Sequence, residues 1–256
     1  LKKEIDVFIL RRCLLAFFAL FAALPVHAQD EKEILGVVEL FTSQGCGACP
    51  PADEAMQKMI EAGTVIGLSY HIDYWDYLGW VDTLATPGNT QRQYDYAEAM
   101  ERSGVYTPQA IINGQLHLNG GDTQKISDTL NQLKASGEGL SVAVTSLINA
   151  SDISIDIAAG ASPEHAEVVI VYFSREDVVE VQRGDNAGKR ISYWHNVTDV
   201  QVIGKWDGKA SRFTLPRSQL PDSANAGLAV LLQRLDENGN PRAIIGASLL
   251  LSKTEG

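Results

Sequence analysis

The sequence predicts an α/β domain followed by an all-β, sandwich-like domain. Three observations carry that expectation. Strand-like and helix-like runs alternate up to about residue 137, whereas only strand-like runs follow. The small, glycine-bearing segment Ser136–Gly137–Glu138–Gly139 sits where the period changes, as a linker would. A Cys46–Gly47–Ala48–Cys49 pair stands between a strand-like run and a helix-like one.

In chain order, GVVELFTS at Gly36–Ser43 is rich in β-branched and aromatic residues and predicts a strand. Ala52–Ala62 places Met56, Met59 and Ile60 at helical spacing. Val65–Ile72 predicts a second strand, and about Thr90–Ser103 a second helix. Ala110–Ile112 and Gln115–Leu118 flank Asn113–Gly114, a strong hairpin signal. Gln124–Ala135 aligns Ile126, Leu130 and Leu133 on one helical stripe. The order β–α–β–α–β–β–α is the thioredoxin arrangement, so residues 33–137 are expected to form a thioredoxin-like domain. In residues 138–252, strands are expected at Ser141–Ile148, Ile153–Ala158, Ala166–Phe173, Ser211–Leu215, Gly227–Gln233 and Ala243–Leu251. Gly, Asn, Asp and Pro turns separate them, the spacing of a sandwich.

At the start of the chain, Lys2, Lys3, Arg11 and Arg12 precede an unbroken apolar run from Cys13 to Val26, and Val26–His27–Ala28 supplies a small residue for cleavage. This is the pattern of a secretory signal peptide over residues 1–28, cleaved after Ala28. The run is shorter than the ~20 residues that span a bilayer. A periplasmic or secreted protein, free of the membrane after cleavage, is the expectation. Of 21 Lys+Arg and 32 Asp+Glu, this segment holds four and two, leaving 17 and 30 and a net charge of −13. So acidic a chain, without a basic cluster, argues against nucleic acid and anionic membrane surfaces.

Once Cys13 leaves with the leader, Cys46 and Cys49 remain. A pair two residues apart staples very little chain, so reactivity explains it better than stability. A thiol reacts as its thiolate, and a helix N-terminus directs unpaired N–H groups and the positive end of the dipole at it. Cys46 is therefore expected to attack and Cys49 to resolve the mixed disulfide. Half of a zinc site and an idle local disulfide are the alternatives. Zinc takes four ligands, and no second Cys-x-x-Cys or histidine pair at ligand spacing is present. Pro50 and Pro51 suit a first helical turn but postpone the regular helix, and Asp53 and Glu54 would oppose a nearby thiolate. In a thioredoxin-like arrangement Thr107–Pro108, just before the third strand, is expected to be a cis bond beside the cysteines whose backbone groups pair with an extended substrate peptide; an ordinary trans bond is the alternative.

The stretches VELFTSQGCGACPPAD, HIDYWDYLGW, YTPQAIING and RGDNAGKR, with the HNV beyond it, resemble a family of uncharacterised secreted bacterial proteins known by a domain-of-unknown-function label. The resemblance spans nearly all of the chain after residue 28. It implies a thioredoxin-like domain fused to a β-domain, with Cys46 and Cys49 matching the family's cysteine pair, and it implies no substrate. The Gly47–Ala48 spacer departs from the serine-rich one of that family.

His71, Asp73, Tyr74, Trp75, Asp76 and Trp80 follow the second strand, at the edge where open α/β sheets bind ligands. His71 and Asp73 are candidates for proton transfer, and Trp75 for a stacking wall beside the substrate. Alternatively, the aromatics pack the core and His71 is a satisfied buried histidine. Glu39 could take the resolving thiol's proton if burial raises its pKa, or simply pair with a basic neighbour. The polar loop Arg183–Arg190 and Tyr193–Asn196 could cap the site or grip a partner. The expected function is that of a periplasmic thiol–disulfide oxidoreductase acting on a protein thiol or disulfide partner, with no cofactor and no metal. A Cu(I)-binding module using Cys46, Cys49 and His71, or a non-catalytic envelope interaction protein, is the alternative.

Overall fold

Alternation along the first strand decides the architecture. In a computed structural model that describes residues 33–161, 166–221 and 223–252, strand β1 (Gly36–Thr42) is buried on both faces. Val37 and Phe41 enter one apolar cluster and Val38 and Leu40 another, as a period of two requires. β1 lies parallel to β2 (Val65–His71) and antiparallel to β3 (Gln109–Ile112), which forms a hairpin with β4 (Leu116–Asn119). Asn113 and Gly114 at its turn both have positive φ, 47° and 66°, as the Asn-Gly signal implies. Helix α1 (Pro50–Ala62) and helix α3 (Thr123–Ser136) place Ala52, Met56, Ile126, Leu130 and Leu133 against Val38 and Leu40. Helix α2 (Pro87–Ala99) lies on the other face, where Tyr96 joins Val37 and Phe41.

The remaining strands are β5 (Val144–Ile148), β6 (Asp152–Ile157), β7 (Ala166–Glu180), β8 (Arg190–Trp206), β9 (Ser211–Pro216), β10 (Ala226–Leu235) and β11 (Pro241–Leu251). They correct the expected fold class. A thioredoxin-like domain followed by a separate all-β domain does not form. Strands from both halves join one eight-stranded mixed sheet in the order β11-β10-β7-β8-β2-β1-β3-β4, and only β5-β6-β9 make a second sheet. The described chain is mostly β, with three α-helices.

The seam explains the correction. β8 runs parallel to β2 through the pair Ser69–Asn196, and the Ser69 hydroxyl donates to Trp194 O at 2.8 Å. One apolar cluster then contains Ile66, Leu68 and Tyr70 of β2 together with Val169, Val171 and Phe173 of β7 and Ala229 and Leu231 of β10. Alternate residues of the same later strands, among them Val168, Ile170, Leu228 and Val230, face the small sheet through Ile153, Ile155 and Ile157. The sheet curls until Ile244 N donates to Asn113 O at 2.8 Å, so β11 meets the β3–β4 turn. No helix among the described residues is long and apolar enough to cross a membrane, and the signal-peptide segment lies outside them.

Candidate functional site

β1 ends at Thr42, and the chain turns through Ser43–Gly45 into the cysteine pair before α1 begins. Cys46 N donates to Ser43 O and Cys49 N to Cys46 O, both at 3.1 Å, and Cys46 and Cys49 are joined in a disulfide with Cα atoms 5.4 Å apart. Cys49 is the N-cap residue of α1, with Pro50 and Pro51 at its first two positions. Those prolines lack N–H groups, and the N–H groups of Ala52 and Asp53 both donate to Cys49 O. The expected array of free N–H groups facing Cys46 is therefore absent from this helix start. Cys46 is 2% exposed and Cys49 fully buried in this closed, disulfide-bonded form.

What closes it is the loop between β7 and β8. Asn186, itself fully buried, donates its side-chain N–H groups to Gln44 O and Cys46 O, each at 2.9 Å, and accepts from Lys189 Nζ at 2.8 Å. Asp185 lies over Gly47 so closely that a Cβ there would stand 2.9 Å from Asp185 Oδ2. Gly47 and Ala48 are the exposed residues of the motif.

The other rim carries the expected binding residues. A Cβ on Gly45 would meet Trp75 Cβ at 3.0 Å, so Trp75 lies directly beside the cysteine turn. Its indole N–H donates to Thr107 Oγ1 at 2.7 Å, and its ring stacks on the exposed Tyr77 at 6.4 Å. Thr107–Pro108 is cis. Pro108 and Ala52 both abut Gly120, each 3.3 Å from a Cβ placed there, which sets Pro108 against the first turn of α1. Trp75, Thr107 and Pro108 thus come together around Gly45 and the start of α1.

The cysteine turn is tied to a buried ionisable cluster, since Gln44 N donates to Asp82 Oδ2 at 2.7 Å and Asp53 N to Cys49 O at 3.1 Å. Thr42, Ser69 and His71 point to the face that α1 covers. The Thr42 hydroxyl donates to Asp53 Oδ1 at 2.7 Å. Burial raises the Asp53 pKa from 3.8 to about 7, with Asp82 adding to the rise and Thr42 and His71 opposing it. His71 Nδ1 lies 2.8 Å from Asp82 Oδ2, both side chains fully buried. Burial opposes ionisation of Asp82, but His71 and the N–H groups of Gln44 and Leu84 outweigh it and hold the carboxyl below its ordinary range. The Tyr193 ring meets His71 edge-on at 4.4 Å, and burial followed by the charges of Asp53 and Asp82 raises its pKa. Asp53 Oδ2, His71 Nε2 and the Tyr193 hydroxyl have no hydrogen-bond partner among the described residues.

Two expected proton-transfer residues lie elsewhere. Glu39 points to the α2 face, away from α1, where Arg92 Nε donates to it at 2.8 Å and the Tyr96 hydroxyl donates to its second oxygen. Asp73 accepts from Thr90 Oγ1 at 2.8 Å and anchors the start of α2. Trp80 donates to the buried Gln44 Oε1 at 2.8 Å and is a support. Among the described residues, no three or more His, Cys, Asp and Glu side chains converge as a metal site, and the His71 ring is held by Asp82 and Tyr193.

A family profile described as "Protein of unknown function (DUF1223)" matches residues 37–233, a span holding the disulfide, the buried cluster and the capping loop. The chain belongs to this family. A crystal structure of an Agrobacterium tumefaciens protein, determined as a structural genomics target, is 50% identical over 88% of this chain and 97% of that one, with a TM-score of 0.81. The solved structure of HBP35 from Porphyromonas gingivalis is 15% identical over 88% of this chain and 77% of that chain, with a TM-score of 0.64, a likeness in fold alone. No curated protein matches the chain.

Within this DUF1223 chain, sequence reasoning found the cysteines and their rim but not Asp82, which no local pattern marks. Asp53 was visible only as an acid in a first helical turn. Asn186 lay inside a loop flagged by its polar, glycine-bearing composition.

Proposed function

We propose that this protein is a thiol–disulfide oxidoreductase of the bacterial periplasm, using Cys46 and Cys49 on a protein partner. The observation that carries the reading is the disulfide itself, its turn tied to buried Asp82 through Gln44 N and to buried Asp53 through Cys49 O, with Trp75 beside Gly45. An idle staple three positions long needs no ionisable cluster near it, and unlike the paired Glu39–Arg92 network this one leaves Asp53 Oδ2 and His71 Nε2 buried without partners among the described residues, a costly arrangement that function can explain.

In the exchange, a partner thiolate attacks Cys46 Sγ, the Cys46–Cys49 bond breaks, and its electron pair leaves on Cys49. A second partner thiolate then attacks the partner's own sulfur in the mixed disulfide and releases Cys46. The partner dithiol is oxidised by two electrons and the pair is reduced, and the same steps reversed reduce a partner disulfide. Attack requires the β7–β8 loop to lift from Cys46, and Trp75 with Tyr77 offers an aromatic surface to the segment that enters. The signal-peptide pattern supports the compartment, where such a pair persists oxidised.

The test is exchange between glutathione and a fluorogenic peptide disulfide, with wild type, Cys46→Ser and Cys49→Ser. Acceleration by wild type and its loss in both variants is expected. Equal rates with and without wild-type protein would overturn the reading.

A further inference from the structure

We infer that Asp53, seated by Thr42 and backed by the His71–Asp82 pair, is the proton donor and acceptor for Cys49, the sulfur that leaves when Cys46 is attacked. The inference deepens the oxidoreductase reading and rests on it.

Geometry carries the assignment. Asp53 is four residues after Cys49 on α1, and Asp53 N donates to Cys49 O at 3.1 Å. Side chains at that spacing share a helix face with Cβ atoms about 6 Å apart, and helical side chains lean toward the N-terminus, here toward Cys49. Both residues are buried, so no water shell offers the leaving sulfur a proton. Thr42 occupies one carboxyl oxygen, while Oδ2 has no partner among the described residues. An unpartnered buried carboxyl oxygen is costly above all when it is charged, so the protonated form is favoured there.

The groups facing Asp53 come from every element around it: Thr42 from β1, His71 from β2, Asp82 from the segment before α2, and Tyr193 from β8. Asp82, whose pKa is held below its ordinary range, pairs with His71 Nδ1 at 2.8 Å, and His71 Nε2 has no partner among the described residues. When a thiolate attacks Cys46, Cys49 departs and takes the Asp53 proton. The products are a mixed disulfide on Cys46, a Cys49 thiol and an Asp53 carboxylate, and one negative charge stands on each side. In the reverse step the Asp53 carboxylate removes the Cys49 proton as that sulfur attacks the mixed disulfide. Glu39 has no part in this, because it lies on the opposite face of β1.

Reduction of the wild-type disulfide by dithiothreitol, followed by tryptophan fluorescence and corrected for the reductant's own thiolate, tests the assignment. The corrected rate constant should fall about tenfold between about pH 6 and pH 8, and Asp53→Asn should be about 100-fold slower at the lower pH with a flat profile. A flat wild-type profile, or an Asp53→Asn protein that keeps the wild-type one, overturns it. Should Asp53→Asn not fold, carbon-13 titration of Asp53 in the wild-type chain decides. A carboxyl that titrates near 7 in the oxidised protein and moves on reduction supports the role. One that titrates below about 5, or is the same in both redox states, overturns it. Dithiothreitol needs no protein substrate, so peptide exchange by the same preparation reports separately on the oxidoreductase reading.

Discussion

Asn186 donates to the main-chain oxygen of Cys46 at 2.9 Å across 140 positions of sequence, from the same side-chain nitrogen that reaches Gln44 O. One amide thereby holds the cysteine turn shut and ties the β7–β8 loop to the end of β1.

Removing that amide should open the site. Asn186→Ala is expected to leave the buried Gln44 O without its donor and Cys46 O with Cys49 N alone, costing about 1–3 kcal/mol for the unsatisfied group. The same change should speed reduction of the disulfide by a bulky thiol more than by dithiothreitol. Denaturant melts and paired reduction rates check both effects. Equal acceleration with the two reductants would mean that the loop does not control access.

Gly47 is required by Asp185 rather than by its own backbone. Gly47→Ala should displace the loop, because its Cβ would stand 2.9 Å from Asp185 Oδ2. A destabilisation of about 1–3 kcal/mol is expected from such overpacking, and Asp185→Ala in the same chain should recover most of it. A double-mutant cycle by chemical denaturation measures the coupling. Additive effects would place the strain elsewhere.

Glu39 is predicted to matter for stability alone. Glu39→Gln leaves Arg92 charged and buried, with Gln233 and Tyr96 as its remaining polar neighbours, at a cost of about 3–5 kcal/mol. Thermal melts should register that loss, while the rate of thiol exchange per folded molecule stays unchanged. A large fall in exchange with little loss of stability would restore Glu39 as the proton acceptor.

His195 and Asp53 contribute to the pH dependence of stability with opposite signs. Burial lowers the His195 pKa from 6.5 to about 4, so the unfolded chain binds its proton more readily between those values and stability rises with pH across them. Asp53 has the opposite sign. Its folded pKa is about 7 against 3.8, so the native state keeps a proton the unfolded state has lost, and that stabilisation fades as pH rises through 7. The free-energy difference between Asp53→Asn and wild type should therefore move in the variant's favour from about pH 4 to pH 7 and then level. Urea titrations across that range check it, and a difference that ignores pH would contradict the assignment.

Much of the first half was legible residue by residue. The runs expected at Gly36–Ser43, Val65–Ile72 and Gln124–Ala135 appear as β1, β2 and α3 within one residue at either end. Period and turn chemistry act locally there and tertiary contacts agree with them. The fold class was not legible, because it rests on β8. Arg190–Trp206 mixes His195, Asn196, Thr198 and Asp199 with its apolar residues, and β7 continues through the polar Ser174–Asp177. Neither shows a clean two-residue period. Pairing with neighbours gives these residues their strand conformation, and the parallel pairing of Asn196 with Ser69 merges the two sheets. The candidate site divides in the same way. Cys46, Cys49, Trp75 and Thr107–Pro108 stand in recognisable local motifs, whereas Asp82 joins the cluster only because the chain after β2 folds back under Gln44.

Trapping of mixed disulfides tests the central claim, that Cys46 and Cys49 perform thiol–disulfide exchange with Cys46 attacking, most directly. Reduced Cys49→Ala protein and reduced Cys46→Ala protein are each mixed with a peptide disulfide, quenched in acid and mapped by mass spectrometry after digestion. A stable peptide adduct on Cys46 of the first variant, and little on Cys49 of the second under native conditions, is the predicted result. Adducts that form on Cys49 as readily as on Cys46, or on neither in the folded protein, would contradict it.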